Sequence, residues 1–262
     1  MTGLRIEGLT AGYQKLPVVK DVSLEAATGK ISGIIGPNGS GKTTLFKCIC
    51  GLIRPRGGRV LLGGQDISRI PRRRFAQTAA FIPQSQVIPF PFTVEEYVLM
   101  GRYPHRGRVM PFSPDDRRVV KETLAMLDLT ELKDHQIQRL SGGEVQRAIL
   151  AGGLAQKPEI ILMDEPTSHL DIGHQVRLLS LLKGLSENSG LTVLIILHDL
   201  NLASAYCDAL ALMDDGRVFS QGSPAEVLTE ENIGQVYRTP VVVGTDPVIG
   251  RPHVYFIPGA VA

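Results

Sequence analysis

Three cysteines in 262 residues are too few for a disulfide framework, and a reducing cytosol is the expected setting. Long apolar runs are missing too. The longest strictly apolar stretch, residues 193–197, is far short of the ~18 residues a membrane span needs, so no span is expected. Net charge is nearly absent: 28 Lys plus Arg against 26 Asp plus Glu leave +2, which gives no global footprint for nucleic acid, and no such partner is expected. The opening residues MTGLRIEGLT lack the charged head and apolar stretch of a signal peptide. No internal repeat or low-complexity tract is present. What is there is globular: 43% hydrophobic against 21% charged, in a length that suits one large domain or two closely joined ones.

The small net charge conceals a segregation. Residues 54–108 hold ten arginines, no lysine and three acids, a net of +7, so the remainder sums to −5. This segment reads either as a solvated basic face or as a surface for a partner. Along the chain, residues 4–9, 18–24 and 59–62 read as short strands separated by Gly and Pro. Residues 31–35 read as a buried strand running into a Gly-rich turn and a helix over 42–50. Thr93 with Glu96, and Ser113 with Pro114, Asp115 and Asp116, predict helix starts, the second with Val120, Leu124 and Leu127 on one face. Residues 159–163 and 192–197 are continuous apolar runs of the kind parallel strands show under helices. The fold class predicted is α/β: a mostly parallel core sheet, an N-terminal antiparallel β subdomain and a helical insertion. The boundaries are 1–84 and 158–238 for the core, 85–157 for the insertion and 239–262 for a C-terminal extension, in which only residues 253–257 suggest a strand.

Gly36-Pro37-Asn38-Gly39-Ser40-Gly41-Lys42-Thr43 matches G-x-x-x-x-G-K-[ST] between a predicted strand and helix, with Thr44 following. Glycines let successive N–H groups converge on a phosphate, Lys42 reaches the β- and γ-phosphates, and the Thr43 hydroxyl suits Mg²⁺. Cys48 and Cys50, at i and i+2, face different sides of that helix and suit core filling better than metal. Asp164 and Glu165 end a buried strand, where open α/β sheets place ligands. Asp164 is expected to hold Mg²⁺, and Glu165 to orient the attacking water.

The stretch Leu140-Ser141-Gly142-Gly143-Glu144-Val145-Gln146-Arg147 resembles the signature of ATP-binding cassette (ABC) proteins. Ser141 and Glu144 are equally a capping box, and both readings hold together. The resemblance covers about residues 4–230 and implies a P-loop NTPase that binds ATP with Mg²⁺. Tyr13 resembles the aromatic that stacks on adenine. Gln84 resembles the Q-loop glutamine that contacts Mg²⁺ or the water and senses the membrane partner. Ser168-His169-Leu170-Asp171 resembles the D-loop, and His198 the switch histidine on the γ-phosphate. His105, His135, His169, His174 and His253 match no catalytic position.

In the family each site takes a phosphate loop from one subunit and a signature from the other. The resemblance therefore implies a head-to-tail homodimer in which Ser141, Gly142 and Gly143 act in trans, together with separate permease subunits and, through them, an extracytoplasmic solute-binding protein. The subunit is expected at the cytoplasmic face of the inner membrane, as a peripheral ATPase. Phe90, Phe92 and Tyr103, ringed by Arg102, Arg106 and Arg108, suit the permease interface, with acidic side chains or anionic lipid expected opposite some of Arg69 to Arg74 and Arg102 to Arg108. TVEEYVLMGRYPH and TSHLDI resemble importers of iron–siderophore complexes, haem and vitamin B12. Iron–siderophore is the expected cargo. A soluble, non-transport ABC ATPase is the alternative from another class.

Overall fold

The computed structural model describes residues 3–257 apart from 15, 85–87, 108–109 and 169. Its chain packs as two compact units, Met1–Arg69 with Leu179–Ala262, and Ile70–Leu178.

The first unit opens with two long strands, β1 (Leu4–Tyr13) and β2 (Leu16–Ala26), then β3 (Ile31–Ile35), α1 (Lys42–Ile49), β4 (Gly57–Leu62) and β5 (Gln65–Asp66). Alternating burial along β1 and β2 gives the antiparallel sheet one buried face, with order β2-β1-β4-β5. All five residues of β3 are buried, as an apolar strand covered on both faces requires.

The second unit runs through α2 (Arg72–Thr78), β6 (Ala79–Ile82), α3 (Val94–Met100), α4 (Pro114–Met126), α5 (Gly142–Ala155) and β7 (Ile160–Asp164), and α6 (Ile172–Ser189) carries the chain back into the first. β6 and β7 pair in parallel. Both predicted helix starts form, each with a capping box: Thr93 and Glu96 open α3, and Ser113 and Asp116 open α4. Val120, Leu124 and Leu127 are buried on one face, as their spacing requires. The helix α2 was not foreseen, because RRRFAQT has no apolar period.

The chain then closes the first unit with β8 (Thr192–Ile196), α7 (Leu200–Tyr206), β9 (Ala209–Asp214), β10 (Arg217–Gly222), α8 (Pro224–Val227), α9 (Glu230–Tyr237), β11 (Val241–Thr245) and β12 (Pro252–Phe256). Here β3 lies between β8 and β9, parallel to both, with β10 antiparallel outside β9. The C-terminal hairpin β11–β12 packs on α7. Asn201 holds Val254 like a strand partner, accepting from its N–H at 2.8 Å and donating to its carbonyl at 3.2 Å. Arg251 donates to the carbonyls of Ser204 and Cys207, 2.7 Å each, at the end of α7.

Candidate functional site

In the first unit, β3 delivers the chain into the Gly-rich turn. Gly36 sits at φ +144°, and a Cβ there would lie 2.2 Å from the Met213 carbonyl oxygen, so no other residue fits. Gly39 is different: its φ of +83° favours glycine, but the space around it is open. Gly41 caps α1 with a left-handed φ of 98° and no side chain, which leaves the first amides of the helix facing outward for an anion. Lys42 is 5% exposed and folds back over the turn, donating to the Gly36 and Pro37 carbonyls at 2.9 Å each. Its ammonium is thus held where the amides converge. Ser40 and Thr44 are buried and Thr43 is half-buried beside them. From behind, the turn between β9 and β10 clasps the loop: Gly216 N donates to Ser40 O at 3.1 Å and Gly216 O accepts from Lys20 N at 2.7 Å. The sequence Asp214-Asp215-Gly216 signals no more than a turn, since its role depends on a contact more than 170 residues away.

Tyr13 ends β1 about half exposed, with Lys47 Nζ 3.4 Å from its hydroxyl. His198 stands exposed just past β8, before Asp199, whose carboxylate caps α7 by accepting from Asn201 N and Leu202 N. Cys48 is buried in α1, where burial pushes its thiol up to about 11 and keeps it protonated.

In the second unit, β6 and β7 run side by side, so the residues following them meet. The Gln84 amide donates to Glu165 Oε2, and Ser168 Oγ lies 3.5 Å from the same oxygen. Asp164 and Glu165 are 2% and 9% exposed. Glu165 has φ +51°, a left-handed conformation rare outside glycine and characteristic of constrained functional turns. The signature turn opens α5. Glu144 accepts from the Ser141 amide at 2.8 Å and hydroxyl at 2.7 Å. Those bonds, the hydroxyl's first, hold the Glu144 carboxyl below its usual range. His169 lies outside the described residues.

One expectation fails. Arg102, placed in the sequence among arginines turned toward a partner, is 5% exposed. Its Nε lies 2.8 Å from Asp116 Oδ1 and its Nη1 donates to Ala155 O at 2.7 Å. The reason is local: α3 ends at Met100, and the following turn carries Arg102 inward between the start of α4 and the end of α5. Other arginines of the basic segment also spend donors on the chain itself. Arg73 reaches the Pro104 and Arg106 carbonyls at 2.8 Å each, and Arg59 reaches Glu7 at 2.6 Å. Arg106 lies over the rings of Tyr103 and Phe112, at 5.5 and 4.7 Å from their centroids. Arg108 lies outside the described residues.

Comparison with known proteins gives the family. The ABC transporter family model matches residues 19–168. The ferric enterobactin transport ATP-binding protein FepC of Escherichia coli is 39% identical over 96% of this chain and 93% of its own. The cobalamin import ATP-binding protein BtuD of Halobacterium salinarum is 38% identical over 97% of this chain and 64% of its own. Among solved structures, an ABC transporter assigned to the metal-chelate type, in an inward-facing conformation, superposes with a TM-score of 0.84 at 29% identity, covering 98% of this chain and 97% of that one. The chain belongs to the ABC transporter family, as an ATP-binding subunit that hydrolyses ATP.

Proposed function

We propose that this subunit drives import of a ferric siderophore complex through a separate permease. The observation that carries the reading is likeness along almost the whole chain to an enterobactin transport subunit and to a metal-chelate transporter. Likeness to the cobalamin subunit at nearly the same identity favours a second reading, cobalamin import. Uptake of labelled ferric siderophore and of labelled cobalamin by cells lacking the gene separates the two: loss of only the first supports the proposal.

In this reading Lys42, Thr44 and the amides of residues 36–43 bind the phosphates, and Tyr13 stacks on the base. Glu165 orients the attacking water, Gln84 holds Glu165 in register, and His198 meets the γ-phosphate. Thr43, Gln84 and Asp164 offer a hydroxyl, an amide carbonyl and a carboxylate. This all-oxygen set fits Mg²⁺, which keeps substrate phosphates and water among its ligands. When bound, the ion would neutralise charge on the β- and γ-phosphates. Among the described residues, no group of three or more His, Cys, Asp and Glu gathers around a common point, so a site built on one carboxylate and the nucleotide is the consistent form.

The subunit works as a head-to-tail pair, Ser141, Gly142 and Gly143 of one copy completing the site of the other, because one chain carries one loop and one signature. The division at 84, 157 and 238 into core, helical insertion and extension belongs to this reading as well. Among the described residues no helix is long and apolar enough to cross a membrane. The subunit is placed on the cytoplasmic face of the inner membrane, held by its permease, which a solute-binding protein loads from outside. In the second unit Arg106 and Phe112, both half-buried, cluster with the exposed Tyr103, and this cluster, with the exposed Phe90, is the surface offered to the permease. The test of the site is Glu165→Gln: hydrolysis should fall by about 10²-fold or more while ATP still binds and a dimer accumulates. Hydrolysis at the parent rate would remove Glu165 from its role.

A further inference from the structure

His174 matched no motif, yet it is among the most constrained side chains of the second unit. Asp171, just before α6, accepts from the His174 amide through Oδ1 at 2.8 Å, and its Oδ2 lies 2.8 Å from His174 Nδ1. One carboxylate therefore fixes both the backbone and the ring. An ionised carboxylate only accepts, so Nδ1 carries the proton and Nε2 is turned the other way. These bonds, that of the backbone N–H first and the imidazole's second, hold the Asp171 carboxyl below its usual range.

The far edge of the ring lies against the signature turn. A Cβ on Gly143 would be 3.5 Å from both Cδ2 and Nε2 of His174. Gly143 has no left-handed φ that would demand glycine, and a methyl there would meet the ring at ordinary van der Waals distance, so the imidazole lies just beneath the second residue of α5 with room for a small side chain. The His174 side chain is 30% exposed, so its replacement leaves no large cavity.

We propose that His174 is a positioning residue for the signature turn. Its ring, aimed by Asp171, borders the space beneath Gly143 and limits the direction in which the first amides of α5 point. The residues that resemble the D-loop and those of the signature are thereby joined within one subunit through a single imidazole. This inference rests on the reading that Ser141, Gly142 and Gly143 act on the nucleotide of a second copy.

The test uses the full-length chain in a Glu165→Gln background, with ATP-dependent dimerisation followed by sedimentation. Adding His174→Ala should raise the dimer dissociation constant about tenfold, while melting temperature and the affinity of the monomer for a fluorescent ATP analogue stay unchanged. His174→Gln keeps a flat amide that can donate to Asp171 and lie under Gly143, and it should recover dimerisation to within about threefold of the parent. A His174→Ala dimer within about twofold of the parent overturns the proposal. So does a dimer loss matched by equal loss of monomer nucleotide affinity or of thermal stability, which makes the residue merely structural, and so does a loss that His174→Gln leaves unrepaired. If Glu165→Gln alone forms no ATP-dependent dimer, the paired-site reading itself fails and the proposal falls with it, a result reached without any change at 174.

Discussion

The phosphate loop and the signature turn both present helix amides outward, yet they are held in place by different chemistry. The loop is shaped by backbone: a glycine wedged against the Met213 carbonyl, a lysine on the loop's own carbonyls, and Gly216 bonded to Ser40 from behind. The signature turn is shaped by carboxylates that bond side chains and amides, Glu144 to Ser141 and Asp171 to His174, while Asp116 with Arg102 anchors the far end of α5. Sterics give a site that is either correct or destroyed. Carboxylate hydrogen bonds give one that can be loosened by a proton or by a competing partner, which suits a part of the molecule that, in the proposed reading, meets a second chain.

The sharpest way to break the comparison lies inside the loop. Gly36→Ala forces a Cβ to within 2.2 Å of a backbone oxygen that cannot move aside, and a loss of more than about 4 kcal/mol in unfolding free energy is expected, together with loss of nucleotide binding. Gly39→Ala meets open space and should cost only the left-handed strain, about 1–2 kcal/mol. Denaturant unfolding of the two variants checks this. Equal losses would mean that flexibility, not packing, is what the glycines supply.

Arg102→Met comes next. Removing one member of a buried ion pair leaves the other uncompensated, and about 3–5 kcal/mol is the expected loss. The double variant Arg102→Met with Asp116→Leu should recover much of it, because an apolar pair of similar volume is often neutral. If the single variant were as stable as the parent, the Asp116 contact would be incidental and Arg102 would return to the surface role its sequence neighbours suggested.

How far the sequence reaches follows the same division. The loop was legible because its requirements are local: glycine where φ is positive, lysine and threonine at fixed spacing, a strand before and a helix after. The capping boxes at Thr93 and Ser141 and the helix start at Ser113 were legible for the same reason. Arg102, His174 and Gly216 were not. Arg102 sits in an arginine-rich segment, and only the end of α3 turns it inward. His174 is one histidine among six, and its meaning lies in two contacts, one of them with a glycine 31 positions away. No residue of the helix α2 is fully buried, so no periodicity announces it. Patterns within one element could be read; pairings between elements needed the fold.

The smallest effect is also the most discriminating, because it asks which site a proton reaches. The Glu144 carboxyl is held below its usual value by its bonds to Ser141, so the folded state favours the ionised form. That contribution is fully present above the unfolded-state pKa and is lost as pH falls through the lowered folded value. The amides of Gly142 and Gly143 should therefore titrate in NMR spectra with a midpoint below 4.5, the ordinary glutamate value, whereas those of Gly36, Gly39 and Gly41, whose neighbours are carbonyls and an ammonium, should stay in place over the same range. Glu144→Gln should abolish the titration while keeping an amide oxygen that can accept from Ser141 in the same capping box. A midpoint at or above 4.5, or loop amides that move with the signature amides, would show that the two turns are not held by different chemistry after all.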